Sequence, residues 1–143
     1  MTDAPHIPLS QDAALVLALA GTAVPFAHSA QDESERWLRA LRLHGDVGRI
    51  MQALGVSESP LTDEPGATGH TPPFGEEVLD RVTRTAADYT AERGAEAIGT
   101  QDLLRGVIDA YGDLFEQVLY VRGTSAAELL EHLGDPHPAR SGG

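Results

Sequence analysis

Six histidines, 22 carboxylates and ten arginines are the groups with which this 143-residue chain could do chemistry. A metal site needs three or four ligands that converge. His28, His44, His70, His132 and His137 show neither a His-x-x-x-His nor a His-Glu-x-x-His spacing. Glu128 and His132 can meet at i, i+4 on a helix, but two ligands do not make a site. No metal and no cofactor is expected. The chain has no cysteine, which excludes disulfides, thiolate ligands and cysteine nucleophiles. It has no lysine either, since all ten bases are arginines. Schiff-base chemistry and a Walker-A phosphate loop are thereby excluded. A serine nucleophile would call for a Gly-x-Ser-x-Gly elbow, which is absent, and no Ser-His-Asp set can be placed. The residues do not point to an enzyme.

The charged residues are more informative. Acids exceed bases by 22 to 10, a net charge of −12. Such a chain repels a phosphate backbone, so nucleic acid is not an expected partner. Against that background Arg36, Arg39 and Arg42 recur every three residues, as a basic stripe. One reading is a solvated face paired locally with Glu33 and Glu35; the other is a contact for an acidic partner or a sister protomer. The run Asp32, Glu33, Glu35 reads as a solvated helix N-terminus. Glu76 and Glu77 complement the dipole of another helix. No apolar run reaches the ~20 residues that span a bilayer. The stretch from Ala13 to Val24 follows Asp3 and Asp12 rather than a basic region, so it reads as a buried helix and not as a signal peptide. The expected location is the cytoplasm, away from the membrane.

The elements that must position these groups are helical. Apolar residues are 41% of the chain but aromatics only 5%, so aliphatic side chains and alanine must build the core. Val78, Val82, Ala86 and Tyr89 share one face of a helix predicted over 76–93. Further stripes are Leu103, Leu104, Val107, Ile108 and Tyr111; then Leu114, Phe115, Val118 and Leu119; then Ala126, Leu129, Leu130 and Leu133, with Ser125 as N-cap. In the first half, Ser10 caps a helix running to about Thr22. Asp32 or Ser34 opens one containing Trp37, Leu38 and Leu41, ended by Gly45. Val47, Ile50, Met51 and Leu54 form the next. No strand-like alternation is present, and the fold class is all-α. The segment 58–73 carries Pro60, Pro65, Pro72, Pro73, Gly66 and Gly69, the composition of a linker. The tail 134–143 is expected to be disordered.

The two halves repeat. Gly45 and Gly112 are 67 residues apart, as are Ile7 and Phe74; Gly55-Val56-Ser57 and Gly123-Thr124-Ser125 are 68 apart. Trp37 occupies the position of Leu104 in the other copy, which makes it a core residue. A unit this small has too little core alone and needs its twin.

At this point the chain resembles the N-terminal domain of Clp-family AAA+ unfoldases, the paired Clp repeat. Ile98-Gly99-Thr100-Gln101-Asp102-Leu103-Leu104 is similar to the family's Ile-Gly-Thr-Glu-His-Ile-Leu turn. The linker Gly69-His70-Thr71-Pro72-Pro73-Phe74 is most like that of the ClpC-type branch. The likeness covers Ile7 to Leu133, and the expectation is either a stand-alone paralogue or a piece of a longer unfoldase. The resemblance implies a bundle of about eight helices built from two four-helix Clp repeats related by a pseudo-twofold axis. The first, diverged repeat would occupy 7–62, the linker 63–73 and the second repeat 74–133. The first copy has lost the Gly-Thr pair at its own turn, Gln31-Asp32-Glu33-Ser34.

The resemblance also implies sites. In the ClpC-type branch a glutamate in each turn helps to recognise phosphorylated arginine. Ser34 and Gln101 stand at those positions here, with Glu35 and Asp102 at the neighbouring histidine positions. The guanidinium-accepting carboxylates are thus displaced or missing. The branch's surface for peptides and cyclic peptide antibiotics maps onto Leu15, His70, Phe74, Leu79 and Thr83. The expected function is a non-enzymatic peptide- or protein-binding module of the Clp protease system, acting as an adaptor, a decoy or a sequestering agent for peptide antibiotics. Its expected partners are peptides, adaptor proteins or a Clp unfoldase. An alternative is the same fold recruited as a small-molecule-binding or catalytic accessory of a biosynthetic pathway, which demands a deep pocket with convergent polar groups.

Overall fold

A computed structural model describes residues 7–56, 74–75 and 77–133. Among these residues there are seven α-helices, one 3₁₀ turn and no strand beyond a single isolated bridge. The all-α reading holds. Residues 57–73, which include the expected linker 63–73 with His70 and the end of the expected first repeat, and residues 134–143 lie outside the described residues.

The first half contains α1 (Gln11–Ala23), a 3₁₀ turn (Val24–Phe26), α2 (Ala30–Leu43) and α3 (Gly45–Ala53). The second contains α4 (Glu77–Glu92), α5 (Thr100–Tyr111), α6 (Asp113–Tyr120) and α7 (Ala126–His132). Side-chain caps start three of them. Ser10, Ser29 and Ser125 each accept a backbone N–H three residues on, from Ala13, Asp32 and Glu128, all at 3.1 Å. Each such cap is worth ~1 kcal/mol. The α2 boundary corrects the sequence reading: the cap is Ser29, not Asp32 or Ser34, so the helix begins earlier and takes the acid run into its first turns. α5 is started differently. The Asp102 carboxylate reaches back to the Gly99 N–H at 2.9 Å.

The turns between helices use positive-φ backbone at glycines. Gly45 (φ +76°) separates α2 from α3, and Gly112 (φ +56°) separates α5 from α6. Gly55 (φ +82°) follows α3, and Gly123 (φ +85°) follows α6. Any other residue there would be strained.

One aliphatic core runs through both halves, with Val16, Leu38, Leu41, Met51, Leu103, Leu104, Phe115 and Leu119 all buried. Trp37 is fully buried among them, as expected of a core residue. α4 and α5 pack most extensively, because Gly106 has no Cβ. A Cβ there would lie 2.6 Å from the Val82 carbonyl oxygen. The halves are also tied at their starts. Ser10 donates its N–H to the Ile98 carbonyl at 2.9 Å, and Ile98 donates to Pro8 at 2.8 Å. No described helix is long and apolar enough to cross a membrane.

Candidate binding site

The position of Phe74 is set by a buried carboxylate. Glu33, in the first turn of α2, is fully buried. Its Oε1 accepts the Phe74 N–H at 3.0 Å and its Oε2 accepts the Gly75 N–H at 2.9 Å. Gly75 adopts φ +85°, which belongs to the turn that aims two successive N–H groups at one anion. The Tyr111 hydroxyl, at the end of α5, donates to Glu33 Oε1 at 3.0 Å and accepts the Trp37 Nε1–H at 3.1 Å. Burial first, then the Glu33 charge and its hydrogen bond, push the Tyr111 hydroxyl far above its ordinary range. It therefore remains a proton donor within the network.

Above this network the Phe74 ring stacks on Tyr111, with centroids 5.0 Å apart and planes 10° from parallel. The Arg81 guanidinium sits 5.6 Å from the Phe74 centroid, within cation–π range. Phe74, Glu77, Val78, Arg81 and Arg84 line a surface cleft of about 260 Å³. Neither Arg81 nor Arg84 has a carboxylate partner among the described residues.

Of the expected ligand surface, His70 lies outside the described residues, and Leu15, Leu79 and Thr83 do not line that cleft. Leu79 packs against the core, and the Thr83 hydroxyl donates to the Leu79 carbonyl at 2.8 Å. Leu15 is 42% exposed on the outward face of α1 and lines neither this cleft nor the groove described below.

The turn positions are occupied by structural bonds. Ser34 is buried and donates its hydroxyl to the Ala30 carbonyl at 3.2 Å. Glu35 forms an ion pair at 2.6 Å with Arg122, in the turn after α6, and Arg122 also donates to the Val118 carbonyl at 3.1 Å. Asp102 is fully buried, with Arg93 donating to both its oxygens at 2.9 and 2.6 Å. Burial alone would raise the Asp102 carboxyl, but the Arg93 guanidinium and the Gly99 N–H outweigh it and hold the group below the usual carboxylate range. Gln101 is half-buried beside it.

The acid run is thus not a solvated helix start. Glu33 is core-bound, Glu35 is bridged to Arg122 in the turn after α6, and Asp32 meets the arginine stripe. Arg36 pairs with Asp32 at 3.2 Å and donates to the Ala23 carbonyl at 3.3 Å. Arg42 donates to the Val56 carbonyl at 2.8 Å. Glu33 and Tyr111 were the functional residues that the sequence reading passed over. The available signal was the spacing of Glu33, Trp37 and Leu41, which puts the carboxylate on the core stripe of its helix.

A second opening lies between α1 and α2. Leu19, Thr22, Ala23, Arg36, Arg39, Ala40 and Leu43 line a groove of about 290 Å³. Among the described residues no group of three or more metal-ligating side chains converges. No known family's sequence model matches the chain, and no curated protein matches it.

Proposed function

We propose that this chain is a non-enzymatic peptide- or protein-binding module of the Clp N-domain type, built as two pseudo-twofold-related four-helix repeats and acting in the cytoplasm. The observation that carries the binding role is the cleft at Phe74. An aromatic ring is fixed at the surface through its backbone, flanked by two guanidinium groups without described carboxylate partners. Pre-fixing a contact residue reduces the ordering cost of capturing a ligand. Support for the repeat comes from the glycine pairs 45/112 and 55/123, which share left-handed backbone at offsets of 67 and 68 residues. By that offset, the positions that match α7 in the first half lie outside the described residues. The partners that fit are peptides, adaptor segments or cyclic peptide antibiotics, and the chain would compete for them with an unfoldase's own N-domain.

The small-molecule accessory reading is less well supported. It needs an enclosed pocket with convergent polar groups. The convergent groups here, Glu33, Tyr111 and Trp37, are satisfied by one another and by the chain's own N–H groups.

The test is calorimetric titration with a cyclic peptide that binds ClpC-type N-domains. Micromolar or tighter binding that is lost in Phe74→Ala is the expected result. Absence of binding in a folded protein would overturn the proposal for this ligand class.

A further inference from the structure

We infer that the groove between α1 and α2 is a second docking site, separate from Phe74, for an amphipathic acidic segment of a partner protein. The first observation is the composition of α1. Val16 and Ala20 face the core and are fully buried, yet the flank beside them carries Leu15 and Leu19, 42% and 37% exposed. An apolar stripe that runs on past the buried face of a helix is ordinarily covered as well. The second observation is the groove itself. Leu19 and Ala23 on α1 face Ala40 and Leu43 on α2, and Leu43 is 48% exposed. The two alanines leave room for an incoming side chain. From Arg36 to Leu43 the floor runs about 10 Å, two helical turns.

Charge selects the occupant. Two guanidinium groups, Arg36 and Arg39, flank the apolar floor. Asp32 meets one of them, and its hydrogen bonds together with the one to the Ala23 carbonyl hold Arg36 in place. Arg39 has no described partner. The site is therefore locally positive on a chain whose net charge is −12. A polyanion would be repelled by the whole molecule. A short segment that places one or two aliphatic side chains in the groove and a carboxylate beside Arg39 satisfies both features. An exposed leucine pair at i, i+4 continues the apolar surface for the next turn of such a segment.

The probe is a fluorescein-labelled helical peptide about four turns long, with leucines at i, i+4 and two flanking glutamates. Its twin carries lysines in place of the glutamates. Fluorescence anisotropy should show binding of the glutamate peptide, with the twin weaker by about tenfold or more. Arg39→Glu should reverse that preference, and Leu43→Asp should abolish binding of both. Leu43 is exposed and Arg39 is half-buried at the groove, so each variant should keep the wild-type helical circular dichroism. Phe74→Ala should leave this binding intact, which separates the groove from the cleft. Equal affinity for the twins, no binding of either, or indifference to Arg39→Glu would overturn the inference. So would a concentration-dependent dimer in sedimentation that is lost in Leu43→Asp, because the occupant would then be a second copy.

Discussion

The Tyr111 hydroxyl donates to Glu33 at 3.0 Å across 78 residues of sequence, and the same carboxylate holds the two N–H groups that begin the chain's return at Phe74. One buried anion thus joins the first half, the end of α5 and the start of the second half. Three donors satisfy it without a described cation. Such a group is costly to disturb, because removing it leaves several buried donors unpaired.

Glu33→Ala should therefore destabilise the fold by about 2–4 kcal/mol, and Tyr111→Phe by about 1–2 kcal/mol. The second variant keeps the ring stack on Phe74 but leaves the Trp37 Nε1–H without its acceptor. Urea midpoints followed by the emission of the single tryptophan would measure both. A midpoint unchanged in Glu33→Ala would mean that the carboxylate is not buried as described.

Alkali tests the same residue. The Tyr111 hydroxyl is raised by burial first and then by Glu33, so the folded chain resists its ionisation. A raised folded value contributes stability that is fully present below the unfolded value, about 10, and is lost as pH rises through the folded value. Tyrosinate absorbance of the native protein should consequently show the same amplitude in wild type and Tyr111→Phe until unfolding. In denaturant, wild type should exceed the variant by one of its three tyrosines.

Acid tests the other half. The Asp102 carboxyl is raised by burial but lowered further by Arg93 and Gly99, and its net shift is downward. A depressed folded value contributes stability above the unfolded value, about 3.9, which is lost as pH falls through the folded value beneath it. Asp102→Asn should flatten the stability curve below about pH 4. It should also lower stability at neutral pH, because the buried bonds from Arg93 to a charged carboxylate are weakened. A variant with an unchanged acid limb would remove Asp102 as a source of it.

The glycines separate two physical causes. Gly112→Ala meets no neighbour within 4 Å, so its cost is the left-handed backbone alone, ~1 kcal/mol. Gly106→Ala has ordinary backbone but drives a Cβ to within 2.6 Å of the Val82 carbonyl, and should cost ~1–3 kcal/mol by prising α4 from α5. Thermal unfolding of the two variants should rank them in that order.

The sequence carried the helices further than it carried the site. The stripes of α4 to α7 and the Ser10 and Ser125 caps are local patterns, and local patterns survive folding. Trp37 was legible as core because its repeat position is occupied by Leu104. The role of Glu33 was not, because three acids at a helix start look alike until the tertiary partners arrive: Tyr111 and the Phe74–Gly75 backbone, all far away in sequence. The pairing of Arg36 with Asp32 rather than Glu33 or Glu35 follows from which helix face each residue occupies once Glu33 turns inward. The spacing of the arginines showed a stripe; it did not show that Arg42 would clasp the Val56 carbonyl and leave Arg39 at the groove.

The ion pair between Glu35 and Arg122 bears on phosphoarginine binding. An open site would offer a carboxylate to an incoming guanidinium. Here Glu35 is already engaged at 2.6 Å, with side chains only 16% and 7% exposed, and Asp102 is engaged by Arg93. A ligand would have to displace a bond that joins α2 to the turn after α6. Free phosphoarginine titrated into the protein should therefore give no saturable heat. Arg122→Ala should not create the site either: it leaves a largely buried carboxylate unpaired and should cost about 3–5 kcal/mol of stability. If phosphoarginine instead restored the melting temperature of Arg122→Ala towards wild type, the Glu35 pocket would be a ligand site held shut by Arg122 rather than a structural joint.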